Sequence, residues 1–175
     1  MRALVLTLGA ALLSACSLLQ SDEPDAPTSA SLVVTDRAKY EARLVSDGRD
    51  AIVFEVPFEI RNTTGGPLYR VGCRRPPKPV LEKLEGGQWV TAYSTGELLC
   101  LSPPFVVASG ETGRDTLQVY GHLSGQDTLP EFRTEVEGTY RLQLELYSSL
   151  TNEQAPLGEA LVPLADRVSN TFEVE

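Results

Sequence analysis

The sequence predicts an all-β fold, an antiparallel β-sandwich. Three observations predict it. Apolar and polar residues alternate over residues 52–61 and again over 140–147, the period of a strand with one buried face. Turn signals fall between the apolar runs: Asp47-Gly48, Gly86-Gly87, Ser109-Gly110-Glu111-Thr112-Gly113 and Glu137-Gly138. No long stretch carries a convincing helical period. The chain has 175 residues, 42% hydrophobic and 22% charged, with a net charge of −9. That composition is globular, and the length supports one domain with a tail.

The first element is an address. Met1-Arg2 is positive, and the apolar run from Ala3 to Leu13 is eleven residues long. Such a run suits a signal peptide and falls short of the about 20 residues that cross a bilayer. It ends in Leu13-Ser14-Ala15-Cys16, which resembles the lipobox of bacterial lipoproteins. The resemblance implies that residues 1–15 are a signal peptide cleaved before Cys16. It also implies a diacylglycerol on the Cys16 thiol and an acyl chain, of the palmitate type, on the new amino end. Two or more acyl chains hold a protein stably on a membrane. The implied location is the bacterial cell envelope, and Ser17 rather than Asp after the cysteine favours the outer membrane. Residues 16–30 then form the lipidated cysteine and a disordered tether. Past Leu19 it is polar or small, carries Pro24 and Pro27, and shows no periodicity. At roughly 3 Å per residue it reaches about 40 Å.

Residues 31–175 form the sandwich domain. Leu32–Thr35 and Tyr40–Val45 are its first strand signals. Ile52, Phe54, Val56, Phe58 and Ile60 give a clear inward row. Pro57 lies on the polar side of that strand and predicts a sheet edge or a bulge, because proline lacks the N–H. Asn62-Thr63-Thr64-Gly65-Gly66-Pro67 ends the strand. Shorter runs follow at Leu68–Val71, Val80–Leu84, Trp89–Tyr93, Phe105–Val107 and Thr116–Tyr120. Tyr140, Leu142, Leu144 and Leu146 form the second clear inward row, and Asn170–Val174 closes the chain. Leu150–Val168 follows neither period. The count is about seven to nine strands.

Phe54–Thr64, Leu81-Glu82-Lys83-Leu84 with Gly87-Gln88-Trp89-Val90, Gly138–Leu142 and Ser169–Val174 together resemble a free-standing bacterial immunoglobulin-like domain. They are also similar to the intracellular proteinase inhibitor family, which shares that architecture. The resemblance implies an immunoglobulin-like sandwich with Tyr140 at a tyrosine corner, its hydroxyl bonded back to nearby backbone. An antibody domain has Cys two residues later; here stands Leu142, and the row Ile52–Ile60 has no Cys. The usual inter-sheet disulfide is therefore missing from the pattern. The inhibitor resemblance implies an alternative function, protease inhibition through a stiff extended loop at Cys73–Pro79 or at Leu101-Ser102-Pro103-Pro104.

With Cys16 lipidated, Cys73 and Cys100 remain, an even pair in an exported chain, and a disulfide is expected. Its closed loop is worth roughly 3.5 kcal/mol in the chain-entropy model; the alternative is two reduced buried thiols. The sequence holds no Gly-x-Ser-x-Gly, phosphate loop, His-Glu-x-x-His or EF-hand spacing. One His excludes His-rich metal cages and two-His mechanisms. His122 with Ser124 reads as a glycine-flanked loop before it reads as a nucleophile and base. Acidic pairs such as Glu135 and Glu137 read as solvated faces. No metal or cofactor is expected, and the acidic balance argues against nucleic acid.

One stretch stands against that acidic background. Arg70, Arg74, Arg75, Lys78 and Lys83 crowd together around Cys73-Arg74-Arg75-Pro76-Pro77-Lys78-Pro79. Prolines stiffen such a loop and lower the entropy lost on binding. As a binding loop it fits an anionic envelope component or another envelope protein; as a plain connection its cations are solvated. Trp89, Tyr93, Tyr69 and Tyr147 are candidates for an aromatic patch, set against core packing for Trp89. The expected function is a membrane-anchored, non-catalytic interaction or structural module, not an enzyme.

Overall fold

The computed structural model describes residues 31–46, 48–72, 76–95, 103–126, 128–152, 155–156 and 160–175. The leader, Cys16 and the tether lie outside the described residues.

The long strands come first, because they carry the core. β4 (Asp50–Arg61) and β9 (Thr112–Leu123) run antiparallel and stay in register from Ala51 opposite His122 to Arg61 opposite Thr112. Along one side of β4 lie β1 (Val33–Thr35) and β3 (Arg43–Ser46). The short β10 (Glu131–Phe132) joins the far side of β9 and completes a five-stranded sheet. The second five-stranded sheet is ordered β2 (Lys39–Tyr40), β14 (Phe172–Val174), β11 (Gly138–Gln143), β6 (Val80–Glu85) and β7 (Gln88–Tyr93). β5 (Leu68–Arg70) and β8 (Phe105–Val107) form a separate antiparallel pair. The chain passes from β4 in the first sheet to β6 and β7 in the second, returns for β9, then crosses again for β11 and β14. That interleaving builds a two-sheet β-sandwich.

Two features depart from the expectation. Fourteen strands are present among the described residues: one run splits as the chain changes sheets, and the short strands Glu131–Phe132, Leu150–Asn152 and Ala155–Pro156 carry no sequence signal. The split run is Tyr40–Val45: Tyr40 sits in β2 beside Val174, and Arg43 to Ser46 form β3 beside β4. The sandwich is also mixed at its edges, since β2 pairs parallel with β14 and β10 parallel with β9.

The same crossing explains Pro57. It lies in an unbroken ladder with β9, opposite Thr116, so there is neither a bulge nor a true edge strand. On its other side, β1 ends at Thr35 opposite Phe58 and β3 starts at Arg43 opposite Val53. Pro57 O accepts from Asp36 N (3.3 Å) on that side. The proline nitrogen therefore faces the gap left by the departing chain, where no donor is required.

The inward rows pack as expected. Ile52, Phe54, Val56, Phe58 and Ile60 are buried, as are Tyr140, Leu142, Leu144 and Leu146. Aromatic rings cross the interior in a chain. Phe132 lies 6.3 Å from Phe54 and 6.5 Å from Tyr140, and Phe172 lies 6.3 Å from Tyr140 and 5.0 Å from Tyr40. Tyr140 Oη donates to Glu135 O (3.0 Å) and Val136 O (2.5 Å), which is a tyrosine corner. Gly138 beside it needs to be glycine: its φ is +148°, and a Cβ there would lie 2.7 Å from Lys83 Cε. Leu150–Val168 holds a short hairpin, β12 (Leu150–Asn152) with β13 (Ala155–Pro156), and a single helical turn, α1 (Leu164–Arg167). Ala160 and Val162 of this segment are buried, and Val162 N bonds Leu146 O (2.8 Å).

Candidate functional site

The basic stretch between β5 and β6 is the candidate site, and the structure divides its cations. Arg70 ends β5 and turns inward, 5% exposed. Its Nη1 and Nη2 donate to Asp115 Oδ2 at 3.4 and 3.3 Å, and Nη2 also donates to Pro77 O. The guanidinium carbon lies 5.7 Å from the centre of the Phe58 ring, within the reach of a cation–π contact. Lys78 Nζ donates to Asp115 Oδ1 (2.8 Å) and Thr116 O (2.9 Å).

Asp115 makes this possible by its place in the ladder. It stands opposite Phe58, a core residue, and opposed residues share a sheet face. Its carboxylate therefore points to the inner side of β9, in a row with Leu117 and Val119, where a lone charge is costly. Burial pushes its pKa up. The bonds from Lys78 and Thr116 N, with the charges of Lys78 and Arg70, outweigh burial and hold the carboxyl below its usual range. One carboxylate thus clasps two cations, and the segment carrying Arg70, Pro77 and Lys78 is fastened against β9.

Lys83 is separate from this clasp. It lies on the inner face of β6, is buried, and its Nζ donates to Glu135 O (2.7 Å) and pairs with Glu85 (3.6 Å). Glu135 O is thus shared with the tyrosine corner. The expectation of an open five-cation surface is corrected for Arg70 and Lys83, which are inside, and for Lys78, whose charge is met by Asp115. A cation beside an inward carboxylate is drawn in because desolvation makes the pair mutually dependent. Arg74 and Arg75 lie outside the described residues, as do Cys73, Cys100 and their expected disulfide.

The other sequence candidates separate too. Ser124 Oγ donates to Phe132 O (3.2 Å), and the His122 ring meets Tyr120 edge-on at 5.4 Å. Trp89 lies under Arg141 at 4.3 Å, with Arg141 paired to Glu82 (2.7 Å). Tyr93 is in the core. Tyr69 and Tyr147 meet each other across a bridge, their N–H groups donating to each other's carbonyls at 2.9 and 3.0 Å. The four aromatics therefore form no single patch. Among the described residues, no group of three or more His, Cys, Asp or Glu side chains is placed to hold a metal, and no helix is long and apolar enough to cross a membrane.

Sequence reasoning missed Asp115, and read Asn62 only as one residue of the turn that ends the strand. Asn62 is 1% exposed. Its Nδ2 donates to Gly66 O (2.8 Å) and Val107 O (2.7 Å), and its Oδ1 accepts from Thr64 N (3.0 Å) and Thr64 Oγ1 (2.6 Å). It organises the turn after β4. A signal for Asp115 existed: it breaks the apolar alternation that Leu117 and Val119 continue. The chain matches no protein-family model, and no curated protein matches it.

Proposed function

We propose that the chain is a lipid-anchored lipoprotein of the bacterial cell envelope. Its immunoglobulin-like sandwich serves as a non-catalytic interaction or structural module held off the membrane on a short tether. The observation that carries the reading is Leu13-Ser14-Ala15-Cys16 at the end of an apolar run too short to span a bilayer. The rigid two-sheet scaffold supports it, since such scaffolds present loops for recognition. Arg74 and Arg75, which follow Arg70 and precede Lys78 in the sequence, are the residues assigned to an anionic envelope partner. Cys73 and Cys100 are assigned to a disulfide, and Ser17 to outer-membrane sorting. Mass spectrometry of the mature amino end tests the anchor. The expected species begins at Cys16 and carries diacylglycerol and an acyl chain, and Cys16→Ala leaves the membrane fraction. A native chain without lipid overturns the reading.

A further inference from the structure

We propose that the cleft at the base of the sandwich is the seat of the chain's own Ala26-Pro27-Thr28-Ser29-Ala30. The cleft has a volume of about 410 Å³ and opens where the described chain begins, with Leu32 in its lining. One wall is the turn after β4, which ends in Pro67. The other is the start of α1, with Pro163 and Asp166. The way the chain enters is set between those walls. Arg61 N donates to Leu32 O (2.7 Å) from the β4 side, and Leu32 N donates to Asp166 O (2.9 Å) on the α1 side. Ser31 Oγ donates to Val33 O (3.0 Å) and to Val168 O. The residues before Ser31 therefore set out from the mouth of the cleft.

Chemistry and position select this occupant. Ala26 to Ala30 is an uncharged run, directly preceded by the acidic stretch Asp22-Glu23-Pro24-Asp25. Among the described residues that line the cleft, Asp166 alone is charged. A carboxylate entering there would lose its water and meet a like charge. Alanine, serine, threonine and proline bring no such cost, and Pro27 has less backbone freedom to lose on seating. A segment joined directly to Ser31 also needs no loop to be closed. Any other occupant from this chain does, including the apolar pair Leu18-Leu19 at the far end of the tether. The seating itself does not depend on a lipid. Its consequence rests on the lipoprotein reading: the free tether shrinks to Cys16–Asp25, about 30 Å at roughly 3 Å per residue instead of about 40 Å. The base of the sandwich then faces the membrane, and the turn between β3 and β4, at the far end of β4 from Leu32, points away from it.

The test is amide hydrogen exchange of the full-length chain in detergent, read by mass spectrometry and corrected for intrinsic rates. Residues 26–30 are expected to exchange several-fold more slowly than residues 20–25. Thr28→Asp with Ser29→Asp, which changes no residue of the folded domain, should abolish the difference. Ser148→Trp, which fills the cleft from the domain side, should abolish it too, with an unchanged circular-dichroism spectrum showing that the fold persists. Equal exchange of the two segments in the native chain overturns the proposal. Protection that survives both changes overturns the cleft as its source, and protection at Leu18-Leu19 in place of 26–30 overturns the choice of segment. Cys16→Ala should keep the protection at 26–30 while it loses the lipid by mass, so failure of the anchor and failure of the seating are distinguishable.

Discussion

Asp115→Ala isolates the clasp. The substitution leaves Arg70, 5% exposed, beside Lys78 with no carboxylate between them. Removing one partner of a fully buried pair costs about 3–5 kcal/mol. Two features lower that figure here. Lys78 has a side chain 32% exposed and can turn to water. Arg70 keeps Pro77 O and the Phe58 ring. The expected loss is about 2–3 kcal/mol, read in urea as a midpoint lower by about 1–1.5 M at an m-value near 2 kcal/mol/M. Arg70→Met with Asp115→Leu removes the two most buried charges together, leaves Lys78 to turn to water, and should recover to within about 1 kcal/mol of the native chain, because apolar replacement of a buried pair is often neutral. The carboxyl is held below its usual range in the folded chain. Its contribution is therefore present above the unfolded value near 3.8 and lost as pH falls through the lowered folded value. An Asp115→Ala midpoint within about 0.2 M of native at pH 7 would refute the clasp as a stabilising contact.

Tyr140 carries two further expectations. Tyr140→Phe leaves Val136 O without its tyrosine donor, while Glu135 O keeps Lys83; the expected cost is about 1–2 kcal/mol by denaturant unfolding. Burial pushes the Tyr140 phenol up to about 12. Burial raises Tyr40 as well, with help from Asp36. The unfolded chain releases these protons near pH 10 and the folded chain later, so stability should hold below pH 10 and fall as pH rises toward 12. A pH-titrated melting curve flat across that window contradicts the assignment, and Tyr140→Phe should fall less steeply. Leu142→Ala empties a fully buried position where antibody domains place a cysteine; a thermal or urea series should show a loss of about 2–5 kcal/mol.

The sequence determined the rows. Period-2 alternation with β-branched and aromatic residues put Ile52–Ile60 and Tyr140–Leu146 on the inner faces, and glycine pairs put turns between strands. Gly86 and Gly87, at φ +57° and +81°, turn the chain between β6 and β7 as their sequence signal predicts. Such readings succeed because they depend on local chain geometry and on which side of a strand meets water. The tyrosine corner was legible through the resemblance to an immunoglobulin-like domain, which places a tyrosine at Tyr140 just after the Glu137-Gly138 turn. The partners of Arg70, Lys78 and Lys83 were not legible. Asp115 lies 45 and 37 residues from the first two, and Glu135 O lies 52 residues from Lys83. A run of cations reads as a solvated or recognising surface until the fold shows which carboxylate or carbonyl lies beneath it. Pro57 and β3 follow the same logic. Each is decided by where a neighbouring strand leaves the sheet, and that departure is set by packing across the sandwich, where Tyr40 finds Phe172 and the edge of β4 is left for Arg43–Ser46 to fill.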